Sequence, residues 1–237
     1  MTKPTRVLIH GASGRMGQAL LRLASEQSTL QVVGAVAREP ERLPTLPGVH
    51  RLAASELSQA PVFDVAIDFS LPEGFDRILD LCVARGAALV SGTTGIELLQ
   101  REALAAASRQ IPVLWASNFS LGVAVLNDLV ERAAQALQGW DCDIVESHHV
   151  HKLDAPSGTA LTLGEHARKG GAEPRYASLR AGDIVGEHLV QFTALGERIE
   201  LVHRATNRDI FARGALHCAG RLVSRPAGSY RVRDLLD

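Results

Sequence analysis

"RVLIHGASGRMGQALLRLAS", residues Arg6 to Ser25, decides how this chain is built. Its apolar, partly β-branched opening reads as a buried strand, and from about Arg15 to Ser25 the apolar residues fall at helical spacing. Between the two lie Gly11, Gly14 and Gly17, and "QVVGAVA" (Gln31 to Ala37) supplies the next strand. A strand, a glycine turn, a helix and a second strand make a βαβ unit. Glycines at such a turn let backbone approach a pyrophosphate, while the helix N-terminus offers free N–H donors and a partial positive charge. The spacing is G-x-x-G-x-x-G, a variant of the usual G-x-G-x-x-G, and with the elements in this order it predicts a dinucleotide-binding turn.

The alternation continues outward. "FDVAIDF" (Phe63 to Phe69) predicts a third strand, after which Ser70 and Glu73 have the spacing of a capping box, with Pro72 in the first turn of a helix to about Arg85. "AALVSG" (Ala87 to Gly92) and "IPVLWAS" (Ile111 to Ser117) predict further strands with a helix between them. Strands separated by helices of this length imply a parallel, doubly wound α/β sheet of Rossmann type. "REPERLPTLPG" (Arg38 to Gly48) reads as a surface loop, and neither repeats nor low-complexity segments occur.

After Phe119 the pattern changes. A helix is predicted from about Leu121 to Leu137, then a strand in "CDIVESHHV", then a helix in "SGTALTLGEHARK". "VGEHLVQFTAL" and "ERIELVHRA" read as a hairpin joined at Leu195-Gly196-Glu197. A smaller α+β domain with an antiparallel sheet is expected at 120–208. The apolar stretch Ile210 to Leu222 reads as a helix returning to the first sheet, so residues 1–119 and 209–237 form the dinucleotide-binding domain.

Composition narrows the function. With 237 residues, 46% of them hydrophobic, and a formal net charge of -1, the chain has a real core and no global basic field, so neither nucleic acid nor an anionic membrane is an expected partner. The three cysteines, Cys82, Cys142 and Cys218, are odd in number and far apart, which fits reduced thiols in a cytoplasmic protein. The opening "MTKPTRVLIHG" has no apolar run before its first glycine, so no secretory leader is expected.

The chemistry concentrates in "ESHHVHKLDAPSGTA", Glu146 to Ala160. In a strand running to Val150, His148 and Val150 would share one face while His149 and His151 took the other, so the histidines serve one site only if the strand ends among them. Clustered imidazoles suit zinc, yet no Cys, Asp or further His lies at a convincing ligand spacing, and no metal is expected. "DAPSGTA" reads as a turn ending at Ser157, with Gly158 and Thr159 opening a helix whose free N–H groups would hold a carboxylate. Lys152 adds a positive charge and a transferable proton. The stretch suits a small acid that must be protonated. Elsewhere, "SGTTG" (Ser91 to Gly95) and "ASNFS" (Ala116 to Ser120) follow strands at the edge where α/β sheets bind ligands. Arg38 stands where an acidic residue would bind a ribose 2′-hydroxyl, which suits a 2′-phosphate and predicts NADPH as the preferred cofactor, NADH remaining possible, with Arg15 as a second phosphate partner.

The run from Glu146 to Ala160 resembles the signature of the dihydrodipicolinate reductases (4-hydroxy-tetrahydrodipicolinate reductases) of bacterial lysine and diaminopimelate synthesis. "GASGRMG", "DFSLPEG", "SGTTG", "ASNFSLGV", "RAGDIVGEH" and "GERIELVHRATNRDIFARGA" fall in the order of that family, so the likeness covers nearly the whole chain. The resemblance implies a two-domain, usually tetrameric enzyme that reduces a small dicarboxylate ring with a nicotinamide hydride. It implies His148 and Lys152 as the catalytic residues, and His149, Lys152, Gly158 and Thr159 as the substrate-binding ones. It implies cofactor contacts at Gly11, Ala12, Ser13, Gly14, Arg15 and Met16, at Arg38, at Gly92, Thr93 and Thr94, and at Ala116, Ser117, Asn118 and Phe119. Two departures stand out: Arg38 replaces the acidic residue of some members, and the segment from Lys169 to Arg180 is shorter than in many, where an extra strand joins an inter-subunit sheet. Another small-acid dehydrogenase on the same fold and a non-catalytic NADP sensor are the rival readings. An acylating semialdehyde enzyme would need a cysteine nucleophile in a cleft.

Overall fold

The structure, a computed structural model, describes residues 3–236. The chain divides into two compact units, Met1–Phe119 with Phe211–Asp237, and Ser120–Ile210.

In the first unit, strands β1 (Thr5–His10), β2 (Leu30–Ala37), β3 (His50–Ala53), β4 (Val65–Asp68), β5 (Ala88–Ser91) and β6 (Pro112–Trp115) alternate with helices α1 (Arg15–Ala24), α2 (Pro72–Arg85) and α3 (Leu98–Ala107). The last strand of the sheet, β11 (Gly228–Tyr230), comes from the C-terminal segment. The order is β11-β6-β5-β4-β1-β2-β3. Every pair is parallel. This is the predicted doubly wound sheet. Val7, Leu8 and Ile9 are fully buried, as expected for a strand covered on both faces. The edge strands β3 and β11, of four and three residues, went unpredicted because, unlike the equally short β4 and β5, they are mostly unburied and carry no continuous apolar run.

The capping box predicted at Ser70 is absent. Leu71 is the N-cap of α2 and no side chain caps it; Pro72 sits in the first turn with φ already helical, where a missing N–H costs nothing. Ser70 instead donates its backbone N–H to Asp68 Oδ1 at 3.1 Å and its hydroxyl to the Leu71 carbonyl. At the other end Gly86, at φ 62°, closes the helix in the left-handed conformation.

The second unit contains α4 (Leu121–Ala136), β7 (Asp141–His148), α5 (Gly158–Lys169), β8 (Pro174–Arg180), β9 (Gly186–Ala194) and β10 (Glu197–Ala205). Helix α6 (Asp209–Leu222) follows. The sheet order is β10-β9-β7-β8. The predicted hairpin is present, turning at Leu195-Gly196 with Gly196 at φ 89°. The sheet is mixed, however, and not antiparallel throughout: β7 and β8 run parallel. Helix α5 connects them, and a helical crossover is what parallel neighbours require. The short Lys169–Arg180 segment thus does form a strand, largely exposed along its length. One face of the sheet packs on α4 and α5 through Leu126, Val130, Ile144, Leu163, Val190 and Phe192. Among the described residues, no helix is long and apolar enough to cross a membrane.

The α1 turn is closely packed. A Cβ at Gly17, which is buried, would strike the Gly11 carbonyl oxygen and lie 2.5 Å from Ala12 Cα, both backbone atoms that cannot swing aside. Gly17→Ala is expected to lower stability by roughly 1–3 kcal/mol, read as an earlier midpoint in urea unfolding.

Candidate active site

At the first unit's sheet, the residues proposed to meet the cofactor all follow carboxyl ends of strands: Gly11 to Met16 after β1, Arg38 after β2, Gly92 to Thr94 after β5, and Ala116 to Phe119 after β6. Strand order reverses between β1 and β4, the place where open α/β sheets bind ligands. There Gly11 adopts φ 77°, and a Cβ on it would lie 2.5 Å from the Phe69 carbonyl oxygen. Gly14 is the N-cap of α1, and no side chain caps that end. Ser13, Gly14 and Arg15 are exposed. A turn with a glycine at each end, beside an uncapped helix start, fits a dinucleotide pyrophosphate. A side chain at Gly92 would strike the ring of Phe69, which itself meets Phe119 edge-on at 5.4 Å. Arg38 is exposed, and Glu39 turns to Arg42 at 2.7 Å.

Beneath this edge lies a polar network that the sequence reading missed. Asp68, fully buried, accepts from Ser91 Oγ at 2.8 Å and Thr93 Oγ1 at 2.7 Å on one oxygen, and pairs with His10 Nδ1 at 2.8 Å through the other. Burial opposes its ionisation, but the hydrogen bonds from His10, Thr93 and Ser70 prevail and hold its pKa below the ordinary carboxylate value. Thr93 is engaged inward on every side: its backbone N–H donates to Ser91 Oγ at 3.2 Å and its carbonyl accepts from Trp115 Nε1 at 2.9 Å. The available signal was an aspartate within the apolar run "VAIDF".

In the second unit β7 ends at His148, so His149, Val150 and His151 leave the strand instead of alternating across it. His148 points inward, and its Nδ1 pairs with Glu146 Oε2. Burial works against the Glu146 anion, yet hydrogen bonds from Arg180, Ser178 and His148 lower its pKa to about 2. With Nδ1 so held, Nε2 is the nitrogen left for chemistry, and Gly186 keeps it uncrowded: a Cβ there would come within 3.0 Å. Lys152 donates from Nζ to Asp154 Oδ1 at 2.8 Å and from its backbone to the His149 carbonyl at 3.1 Å. His149 has a buried Nδ1 with no hydrogen-bond partner among the described residues. Its pKa is lowered by desolvation first, then by the charges of Arg208, His151, His148 and Lys152. That field is cationic.

Ser157 caps α5, accepting from the Ala160 N–H at 3.2 Å. Gly158 and Thr159 therefore begin the helix as predicted, and a Cβ on Gly158 would meet no protein atom within 4 Å. Ser157 Oγ also lies 3.2 Å from Nε2 of His188, a buried histidine whose ring stands edge-on to His148 at 5.2 Å. Neither His188 nor Arg180 was legible as a site residue, since both come from distant strands. Among the described residues, no cluster of three or more His, Cys, Asp or Glu is arranged to hold a metal ion. The three cysteines are buried, and burial pushes their thiols upward, Cys142 to about 11 and Cys218 to about 12, so none is a ready nucleophile.

His188 predicts a pH dependence. Burial, reinforced by His148 and His203, lowers its pKa from 6.5 to about 4. The unfolded chain takes up this proton first, so the contribution is complete above pH 6.5 and is lost as pH falls toward 4. At pH 5 the protein should be about 2 kcal/mol less stable than at pH 7 from this group, at roughly 1.4 kcal/mol per unit. Glu146, depressed to about 2, loses its contribution only below pH 4.5. Urea unfolding at both pH values should show the slope in the wild type and much less of it in His188→Gln.

Comparison with known proteins places the chain. Residues 5–119 match the family model described as dihydrodipicolinate reductase, N-terminus, and residues 122–236 the one described as dihydrodipicolinate reductase, C-terminus. The chain is 74% identical over 234 residues to 4-hydroxy-tetrahydrodipicolinate reductase of Stenotrophomonas maltophilia, with 98% of each chain covered. It is 72% identical over 235 residues to the protein of that name from Xanthomonas axonopodis pv. citri, with 99% of each covered. Among solved structures, dipicolinate-bound dihydrodipicolinate reductase from Paenisporosarcina sp. TG-14 shares the fold, with a TM-score of 0.82, 21% identity, and coverage of 99% of this chain and 100% of that one. Two family models that between them account for nearly every residue, and relatives this similar over their full length, make the chain a member of the dihydrodipicolinate reductase family.

Proposed function

We propose that this chain reduces 4-hydroxy-tetrahydrodipicolinate to tetrahydrodipicolinate with a pyridine nucleotide, the reaction for which its relatives are named. The observation that carries the reading is the cationic field of the second unit, where Lys152 and Arg208 act on His149 in the segment that leads from β7 to the start of α5. A dicarboxylate fits that field, with one carboxylate on the N–H groups of Gly158 and Thr159. A bound nicotinamide supplies the hydride, held at Gly11 to Met16, Arg38, Gly92 to Thr94 and Ala116 to Phe119. The chain's own part is to bind, orient and protonate. The 4-hydroxyl leaves as water with a proton from the neighbouring ring carbon; the carbon that held it gains hydride, and His148 Nε2, or Lys152 Nζ, gives a proton to the adjacent carbon. Lys152 also offsets the negative charge that grows on the ring nitrogen or carboxylate. The same reading includes a homo-oligomer, a tetramer, supported by the sheet face that α4 and α5 leave uncovered, where Leu179 and Val202 are exposed.

NADPH is the cofactor this reading prefers, because Arg38 is exposed while the neighbouring Glu39 is bound to Arg42. A charge-assisted contact to a 2′-phosphate is on the order of 1.5–3 kcal/mol. NADPH should therefore exceed NADH in kcat/KM about tenfold or more, and Arg38→Ser should remove most of that ratio. Equal losses with both cofactors would mean that Arg38 does not read the phosphate.

The decisive assay follows nicotinamide absorbance while a synthase makes the substrate from pyruvate and aspartate semialdehyde. Oxidation that depends on the synthase is expected. In Lys152→Ala, kcat should fall roughly 10²- to 10⁴-fold with NADPH affinity unchanged. Near-normal turnover in that variant would sink the assignment of Lys152.

A further inference from the structure

Arg180 closes β8 in register with His148, the residue that closes β7. Its guanidinium reaches in two directions. Nη1 and Nη2 grip the two oxygens of Glu146 at 3.0 and 2.8 Å, while Nη2 also donates to the carbonyl of Asp154 at 2.6 Å and Nε to the carbonyl of Lys152 at 3.3 Å. A further bond from Nη1 to the Leu179 carbonyl, at 2.6 Å, fixes the group to its own strand. The Glu146 side chain has no exposed surface and that of Arg180 is one-fifth exposed, so this is an interior junction and not a surface ion pair. Glu146 in turn holds His148 Nδ1.

We propose that Arg180 is a positioning residue for the reduction: one guanidinium ties the Glu146–His148 dyad to the backbone of the segment carrying Lys152, so that both proton donors keep one fixed arrangement. The inference rests on the functional reading above, but its physical content can be read without turnover. A planar fork is needed, because a lysine ammonium is a point charge that cannot span a carboxylate and two carbonyls in these directions. Arg180 also shares the Glu146 charge. Without it, among the described residues, His148 would be the one charged partner left to the anion, beside the Ser178 hydroxyl.

The groups around His148 are Glu146 on β7, Arg180 on β8 acting through Glu146, His188 on β9, and His149 and Lys152 in the segment that follows. Removing Arg180 and neutralising Glu146 should therefore move His148 in opposite directions. General damage to the fold would not do so.

The test is an NMR titration of the His148 Cε1–H in the full-length protein, with kcat–pH profiles, substrate KM and NADPH affinity in parallel. Arg180→Met should raise the His148 midpoint by about one pH unit, and Glu146→Gln should lower it by about one. Arg180→Lys, which keeps the charge and loses the fork, should leave the midpoint near wild type yet lower kcat about 10- to 100-fold, with NADPH affinity within about twofold of wild type. If Arg180→Met does not fold, the loss of kcat in Arg180→Lys at an unchanged midpoint and unchanged NADPH affinity, together with a lowered midpoint in Glu146→Gln, decides the proposal. Midpoints that do not move in opposite directions, or an Arg180→Lys enzyme with wild-type kcat, would overturn the proposal. A wild-type protein that turned over no substrate would defeat the functional reading alone, because the NMR midpoints would still report whether Arg180 holds the dyad.

Discussion

An ionised carboxylate taken out of water costs several kcal/mol unless its oxygens are fully partnered, and Glu146 is the place where the second unit meets that demand. Its partners come from two strands: His148 at the end of its own, and Ser178 and Arg180 on the neighbouring β8. The parallel pairing of β7 with β8 is what brings Arg180 alongside, and α5 is what makes the pairing parallel. Helix, strand and carboxylate are thus one constraint. Once Glu146 is satisfied, the orientation of His148 follows.

The first unit solves the same problem around Asp68. Asp68 gathers His10, Ser70, Ser91 and Thr93, which belong to the ends of β1, β4 and β5 and the turns after them. Those are the turns that shape the carboxyl edge of the sheet. A single buried anion therefore fixes several loops to one another. In each unit the buried acid stands beneath the residues proposed to act.

The doubly wound sheet was legible because strands such as Val7–Ile9 and Val65–Ile67 are buried on both faces and read as continuous apolar runs. The start of α5 was legible for a different reason, since Ser157 before Gly158 is local capping chemistry. What failed either buries little of its length or lost to a competing contact. The edge strands β3 and β11 carry no continuous apolar run, and the capping box at Ser70 gave way to a local bond from its amide to Asp68, two residues back. Strand β8 carries little burial of its own, and its orientation is set by a partner some thirty residues away in sequence. Arg180 and His188 could not be assigned from spacing for the same reason: sheet register, and not sequence distance, makes them neighbours of His148.

The end of β7 at His148 resolves the problem posed by three histidines in four positions. Were the strand longer, His149 would lie across the sheet from His148. Leaving the sheet, it joins a cationic field with His151, Lys152 and Arg208. His148 and His188 then form an edge-on pair 5.2 Å apart that differs chiefly in partners. One faces a carboxylate held ionised; the other faces the Ser157 hydroxyl and is kept neutral by burial and by its positive neighbours. Two imidazoles at this distance do not both take a proton readily. In the proposed reaction, the neutral His188 takes no part in the proton transfer given to His148 or Lys152, and the Ser157 hydroxyl beside it caps the helix on which the substrate carboxylate would rest.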